Sequence, residues 1–420
     1  MKIALICTEK LPVPPVAGGA IQLYIDGILP YLSKKHDITV FCVQHPDLPN
    51  EEVKDNVKFI RVPVPNRASY IANVKARLTA DFDKIVIFNR PLWVLPLSKD
   101  LPNVRFGLSL HNEMMLPEKI PELQGAQCIE RVDVINTVSS FIANGVAARF
   151  PQAESKLNVL YSGVDINKYT PVWTPEGLQH KRQLKEKFGI PNHRVVLFVG
   201  RLSVKKGVDI LIKAMQRVME NHDDVALAVI GSKWFGKNDP NEYTVALQNL
   251  AANLKGPVIF TGFLPPARIP PYYNLGDIFV CSSQWNEPLA RVHYEAMAAG
   301  LPIITTNRGG NAEILVKGKN GLLLEDIDGT RNCSSPEYMA ENIEFLLNNP
   351  QKALQMGKKG RKFAEEKYAW ERVAMDFHNS LYKNSDHVPE PIVESPKPAK
   401  EPVIQKKNIS ESIVFEEDFF

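Results

Sequence analysis

The chain is short of the features that announce several common kinds of protein. Its five cysteines, Cys7, Cys42, Cys128, Cys281 and Cys333, are odd in number, scattered and mostly set in apolar runs. With no Cys-x-x-Cys among them, they suit reduced thiols better than a disulfide framework or a metal knuckle. No stretch approaches the ~18 uninterrupted apolar residues of a membrane span. The apolar start Ile3–Cys7 is too short for a secretory signal and is followed by Glu9 and Lys10, so it reads as a first strand of a cytoplasmic protein. The nine histidines show no metal-ligand spacing, and Gly-x-Gly-x-x-Gly, a phosphate-binding Gly-x4-Gly-Lys-Ser/Thr loop and Gly-x-Ser-x-Gly are missing. Dehydrogenase, P-loop NTPase and α/β-hydrolase readings lose their main support. Charge imbalance is lacking too: 50 Lys+Arg against 47 Asp+Glu leave +3. With no basic-aromatic pattern beside it, that excess does not call for nucleic acid.

What is present is a large α/β enzyme's worth of chain. At 420 residues, 44% hydrophobic and 23% charged, it can bury two cores. Strand-like runs fall at 2–7, 38–43, 57–62, 85–88, 104–110 and 133–138 in the first half, and at 195–200, 225–231, 257–261, 277–282, 302–306 and 321–324 in the second. They alternate with helical patterns, which argues for parallel sheets with right-handed crossovers. The turn-rich passage Tyr161–Pro171 places a domain junction, giving a first domain over 1–170 and a second over 171–367. Residues 385–420 carry five prolines, eight acidic and four basic residues. Such a segment cannot offset its ordering entropy, and a disordered acidic, Pro-rich tail is predicted.

The most informative segment is Trp285–Pro302, where Glu287 and Glu295 stand eight residues apart. Pro288 suits a first helical turn, so the spacing predicts one carboxylate at a helix entrance and the other about 12 Å along its axis. That is the reach of a sugar-diphosphate-ribose skeleton, with the helix N-terminus holding the diphosphate. Two glutamates on a solvated helix face are the plainer alternative. Upstream, the strand run Val195–Val199 opens into Gly200-Arg201 and Lys206-Gly207 before a helical pattern. Downstream, Pro302–Thr306 opens into Arg308-Gly309-Gly310-Asn311-Ala312-Glu313. Three loops thus converge on one sheet edge, where α/β proteins bind anions.

These motifs, with the early Gly18-Gly19 loop, occur in the order seen in the retaining glycosyltransferases of family 4, which the chain resembles over roughly residues 1–384. The resemblance implies the GT-B fold: two Rossmann-like domains with parallel sheets facing a central cleft, the first closed by a C-terminal helix at 368–384. Longer strings, Thr8–Pro12, Ile230–Gly236 and Glu287–Gly310, resemble a subgroup connected with bacterial spore coats. That implies coat proteins as partners, and as a second reading a coat assembly protein on an enzyme scaffold. A sugar epimerase or a phosphorylase of the same fold is a third.

The resemblance also assigns roles. Arg201 and Lys206 neutralise the diphosphate and the charge on the leaving oxygen, a task a metal performs elsewhere. Glu295 accepts the ribose hydroxyls, Glu287 contacts the donor sugar, and Gly18 and Gly19 let backbone N–H groups approach a phosphate. Leu289 and Ala290 depart from the family's usual Phe-Gly, which leaves backbone donation open to them and bears on which sugar is taken. Arg291 is a candidate phosphate contact; packing is the alternative for it and for His293. Glu313 matches a third acidic position that shapes its loop. His111, after the run Val104–Leu110, matches a histidine at the cleft that hydrogen-bonds the donor sugar, and Glu113 beside it is a candidate acceptor-facing group. The implied reaction is front-face transfer with retention from a nucleoside-diphosphate sugar to an unknown glycan, lipid or protein. No cofactor and no metal are expected. Asp81-Phe82-Asp83 and Asp326-Ile327-Asp328 match the Asp-x-Asp of metal-dependent glycosyltransferases, but acidic residues commonly mark strand ends. Ile71, Val74 and Leu78 beside Arg67, Lys75 and Arg77 form a stripe suited to an anionic membrane surface or, more simply, to a crossover helix packed on its sheet.

Overall fold

Apolar runs and amphipathic segments alternate into two parallel sheets in the computed structural model, which describes residues 1–232, 242–316 and 318–383. The tail 385–420 and Lys233–Gly236 of the string above lie outside the described residues. The first sheet contains β1 (Lys2–Ile6), β2 (Asp37–Val43), β3 (Glu51–Lys54), β4 (Val57–Val62), β5 (Lys84–Phe88), β6 (Arg105–Leu110), β7 (Val132–Thr137) and β8 (Leu157–Val159), in the order β3-β4-β2-β1-β5-β6-β7-β8. Only β3 is antiparallel, pairing Glu51 with Ile60 and Lys54 with Val57. The second sheet holds β9 (Arg194–Val199), β10 (Val225–Ile230), β11 (Val258–Phe260), β12 (Ile278–Cys281), β13 (Ile303–Thr306) and β14 (Gly321–Leu324), all parallel, in the order β11-β10-β9-β12-β13-β14.

Strands covered by helices on both faces read as continuous apolar runs, which is why β5, β9 and β10 are legible in the sequence. β3 and β8 escape that signal: Glu-Glu-Val-Lys is polar and mostly exposed, and Leu157–Val159 is a three-residue edge. In each sheet the order of strands reverses beside the first strand of the domain. The crevices between the carboxyl ends of β1 and β5 and of β9 and β12 are therefore topological switch points, where open α/β sheets hold ligands.

The stripe considered for a membrane surface lies in the helix Arg67–Lys75, and its apolar side belongs to the core. Val74 is fully buried, and Ile71 and Leu78 pack on the same cluster. Tyr70 donates its hydroxyl to the carbonyls of Cys7 (2.9 Å) and Phe41 (3.1 Å), pinning the helix across β1 and β2. It is a crossover helix, with its apolar stripe spent on its own sheet. Among the described residues no helix is long and apolar enough to cross a membrane. All five cysteines are buried and free.

The helix Trp370–Ser380 returns from the second domain to the first. Val373, Ala374, Phe377 and Leu381 join the apolar cluster of β1, β2 and the helix Ala20–Leu32. Trp370 fills a slot that only glycine permits: a Cβ on Gly27 would lie 2.2 Å from its ring, and one on Gly163 2.4 Å. The far end is held by a buried cation. Lys84 Nζ lies 2.9 Å from the Asp133 carboxylate and donates to the carbonyl of Leu381 at 2.9 Å. An ammonium against the last carbonyls of a helix complements its dipole, and Asn136 Nδ2 adds a hydrogen bond to Ser380 Oγ at 2.9 Å.

Removing the lysine leaves Asp133 buried without its close countercharge. Lys84→Ala is expected to lower unfolding stability by about 3–5 kcal/mol, measured by urea denaturation. A loss below about 1 kcal/mol would show that the buried pair does not hold the returning helix.

Candidate active site

The loops after β9 and β12 are drawn together by backbone contacts that admit no side chain. Gly207 has φ 63°, and a Cβ there would lie 2.2 Å from the Ser282 carbonyl oxygen. Ser282 Oγ in turn donates to the Lys206 carbonyl at 2.9 Å. This seats Lys206, at the end of a short turn Val204–Lys206, over the residues that follow β12. Its Nζ lies 2.6 Å from Glu287 Oε2. The same oxygen accepts from Ser283 Oγ at 3.0 Å and from the indole Nε1 of Trp285 at 2.7 Å. Glu287 is only 6% exposed. Burial alone would raise its pKa, yet the Lys206 charge and the three donors outweigh it and hold the carboxyl below its ordinary value. Three donors converge on Oε2, so the carboxylate is fixed with Oε1 as its remaining acceptor.

Arg201 follows β9 where that strand meets β10. A Cβ on Gly231 would lie 2.0 Å from the Gly200 oxygen, and Leu202 N donates to the Ser232 carbonyl at 3.0 Å. Arg201 and Lys206 therefore both stand on the loop that follows β9, and Glu287 stands on the loop that follows β12.

The helix expected from Pro288 onward begins later. It spans Val292–Ala298, so Glu287 stands in the preceding turn and not at a helix entrance. The reason is competition for backbone groups. Gly310 N donates to the Glu287 carbonyl at 2.8 Å, the acceptor that the Arg291 N–H would use in a helix starting at Pro288, and Ala290 N donates to Asn311 Oδ1 at 3.2 Å. For Ala290 the expected backbone donation is thereby corrected, since its N–H is taken by Asn311. Leu289 and Ala290 are both buried, at 8% and 6% exposure. Glu295 lies inside the helix and accepts the Tyr273 hydroxyl on Oε2 at 2.8 Å.

Two motif residues prove to join the domains. Arg291 donates to Ser162 Oγ at 2.7 Å and to the Gly163 carbonyl at 3.2 Å, with its guanidinium 5.4 Å from the Trp370 ring. That engages one guanidinium nitrogen at the domain junction, the packing alternative to a phosphate contact. Glu313 accepts the backbone N–H of Ser140 at 2.7 Å and of Phe141 at 2.8 Å, and the Tyr161 hydroxyl at 3.0 Å. A second-domain carboxylate thus caps the first-domain helix Ser140–Arg149, where the helix dipole favours an anion. His293 is a satisfied core residue, with Nδ1 2.9 Å from the Ala290 carbonyl and Nε2 2.8 Å from Thr305 Oγ.

Across the cleft, Gly18 and Gly19 have φ 91° and 99°, and Gly19 opens the helix Ala20–Leu32. A Cβ on Gly19 would lie 2.2 Å from Gln22 Oε1. The Gly18 N–H is spent on the Pro15 carbonyl at 2.9 Å, so of this pair it is Gly19 whose donor stays open among the described residues. His111 follows β6, with its N–H on Asn89 Oδ1 at 2.6 Å and Nε2 3.0 Å from Ser109 Oγ. Its ring meets Tyr24 edge-on, with centroids 4.7 Å apart. Burial, with the Arg291 charge second, pushes its pKa down to about 3. Beside it, Arg90 and Glu9, after β5 and β1, form a two-point ion pair at 2.9 and 2.8 Å. Burial raises the pKa of Glu113.

Both Asp-x-Asp pairs are engaged locally. Asp81 pairs with Lys2, and Asp83 accepts the Lys2 N–H at 2.6 Å, at the end of the first sheet opposite the cleft. Asp326 pairs with Arg308 at 3.1 Å, and Asp328 caps the turn Thr330–Arg331. Sequence reasoning passed over Ser283, Trp285, Tyr273 and Asn311. Ser283 and Trp285 carried a signal, standing just past a strand end beside Glu287. Tyr273 and Asn311 carried none that spacing alone could supply.

Comparison with known proteins places the chain. Residues 180–363 match the family "Glycosyl transferases group 1" and residues 19–168 match "Glycosyltransferase Family 4". Spore coat protein SA of Bacillus subtilis (strain 168) is 46% identical over 385 residues, covering 91% of this chain and 100% of that protein. The putative glycosyltransferase YtcC of the same organism is 43% identical over 385 residues, covering 91% and 92%. Among solved structures, Anabaena Alr3699/HepE in complex with UDP-glucose superposes with a TM-score of 0.72 at 21% identity, covering 91% of this chain and 99% of that one. A glycosyltransferase from Rickettsia africae ESF-5 gives 0.73 at 19%, covering 91% and 98%.

A histidine with so low a pKa is neutral through the physiological range. The His111 ring is expected to show no titration midpoint between pH 5 and 8 when followed by ring-nitrogen NMR. Its folded pKa of about 3 lies below the ordinary 6.5, so the unfolded chain binds the extra proton. The associated stability is present above pH 6.5 and is lost as pH falls from there toward about 3.

Proposed function

We propose that this chain, which belongs to glycosyltransferase family 4 and has the GT-B arrangement of two parallel-sheet domains, moves a sugar from a nucleoside-diphosphate donor to an acceptor hydroxyl, with retention and without a metal ion. The observation that carries this is the Lys206–Glu287 pair at the second switch point, with Arg201 on the same loop. It offers two cations for a diphosphate and a fixed, ionised carboxylate for hydroxyls a short distance away. Glu295 lies one short helix farther on, anchored by Tyr273, and receives the ribose. The neighbour crystallised with UDP-glucose supports a nucleotide sugar as the ligand class.

On this reading the diphosphate takes part of the Lys206 charge, and Arg201 shares the load as the sugar–phosphate bond breaks. The acceptor oxygen bonds to the anomeric carbon on the face the phosphate leaves. Its proton passes to the departing phosphate oxygen, so no general base is needed. His111, neutral and fixed by Ser109 and Asn89, presents a polar ring atom to the sugar without adding a charge that would oppose the forming oxocarbenium centre. Metal independence rests on the cations in the crevice and on the local engagement of both Asp-x-Asp pairs. The full-length likeness to spore coat protein SA favours a second role, assembly among coat proteins, which a working donor site does not preclude.

Isothermal titration with UDP-, GDP- and ADP-sugars is expected to find one that binds equally well with and without a chelator. Binding abolished by chelator and restored by manganese would overturn the metal-free reading. In the same assay, Glu295→Ala should weaken the bare diphosphate and the nucleotide sugar alike, whereas Glu287→Ala should weaken only the sugar-bearing ligand. Each loss is about 1.5–3 kcal/mol, as for a hydrogen bond to a charged group. If both variants bind like the unaltered protein, Glu295 does not receive the ribose and Glu287 does not read the sugar.

A further inference from the structure

Trp285 carries none of the family motifs, yet it is tied to the central carboxylate. Its indole Nε1 donates to Glu287 Oε2 at 2.7 Å. The face of the same ring lies beneath two ammonium groups, Lys205 at 5.4 Å and Lys206 at 5.8 Å from the ring centroid. One side chain therefore holds the carboxylate by its edge and the cations of the preceding loop by its π-face.

The arrangement matters because Lys206 has two anions to serve. Without donor it lies 2.6 Å from Glu287, and a bound diphosphate, with at least twice the charge of a carboxylate, draws it away. Glu287, almost wholly buried, would then lose the cation that keeps it ionised and oriented. Trp285 N–H and Ser283 O–H are neutral, short and local, and phosphate does not compete for them from across the loop. The backbone of Glu287 is fixed independently, since Gly310 N–H binds its carbonyl at 2.8 Å and a Cβ on Gly309 would lie 2.1 Å from that oxygen.

We propose that Trp285 is a positioning residue for the donor sugar. Its indole N–H holds Glu287 Oε2 when Lys206 turns to the diphosphate, so that Oε1 stays aimed at the sugar hydroxyls. This rests on the nucleotide-sugar reading of the site and adds a division of labour within it: Lys206 serves the phosphate, while Trp285 with Ser283 serves the sugar-reading carboxylate.

The test is titration of full-length Trp285→Phe and Ser283→Ala with UDP and UDP-glucose, GDP and GDP-mannose, and ADP and ADP-glucose, using the pair the unaltered protein binds. Trp285→Phe is expected to bind the bare diphosphate within twofold of the unaltered protein and the nucleotide sugar at least tenfold more weakly. Trp285→His, which keeps a ring N–H, should regain part of the loss, and Ser283→Ala should show a smaller shift of the same kind. Equal weakening of both ligands would make Trp285 a packing residue, and no weakening of either would remove the role; both results overturn the proposal while leaving the site reading intact. Should Trp285→Phe not fold, the Ser283→Ala ratio of the two affinities decides in the same way. An unaltered protein that binds no nucleotide sugar would instead refute the site reading itself.

Discussion

The placement of Trp370 between two glycines is the constraint on which the cleft depends. The chain crosses between domains at Ser162-Gly163 and returns near Trp370, whose ring fills the space left by the missing side chains of Gly27 and Gly163. Arg291 lies over the same ring and donates to both Ser162 and Gly163. A first-domain helix, the outgoing crossing, the returning helix and the donor-side loop thus share one contact. Arg291 is also 4.0 Å from Glu295, so the residue read as the ribose acceptor adjoins the domain junction.

A second contact fixes the mouth of the cleft. Glu313 projects from the second domain onto the first two amides of the helix Ser140–Arg149, placing its charge where unpaired N–H groups and the helix dipole both favour an anion. Its loop also supplies Gly310 N–H to Glu287 and Asn311 Oδ1 to Ala290. The segment that joins the domains is therefore also the one that fixes the backbone of Glu287 and Ala290.

Electrostatics within the crevice follow from burial. Glu287 stays ionised because a cation and two neutral donors share one oxygen, whereas burial, with the Arg291 charge second, keeps His111 neutral. At the opposite end of the first sheet the same logic is structural, with Lys84 and Asp133 compensating each other beneath the returning helix.

The sequence by itself determined the two parallel sheets, because doubly covered strands must be continuous apolar runs, and it located the loops that matter, because Gly18-Gly19, Lys206-Gly207 and Gly309-Gly310 mark backbone that must turn or approach closely. It marked Glu287 and Glu295 but misjudged the structure between them, since the helix start was decided by hydrogen bonds to a loop more than twenty residues away. Only the tertiary structure decided which charges meet: Lys206 and Glu287 are separated by 81 positions, and Glu313 and Ser140 by 173. Spacing along a chain reports faces of one helix or strand, whereas these pairs depend on strand order and on glycines that let one loop touch another. Arg291 and Glu313 were visible as motif residues, but their contacts at the domain junction became legible only in the folded chain.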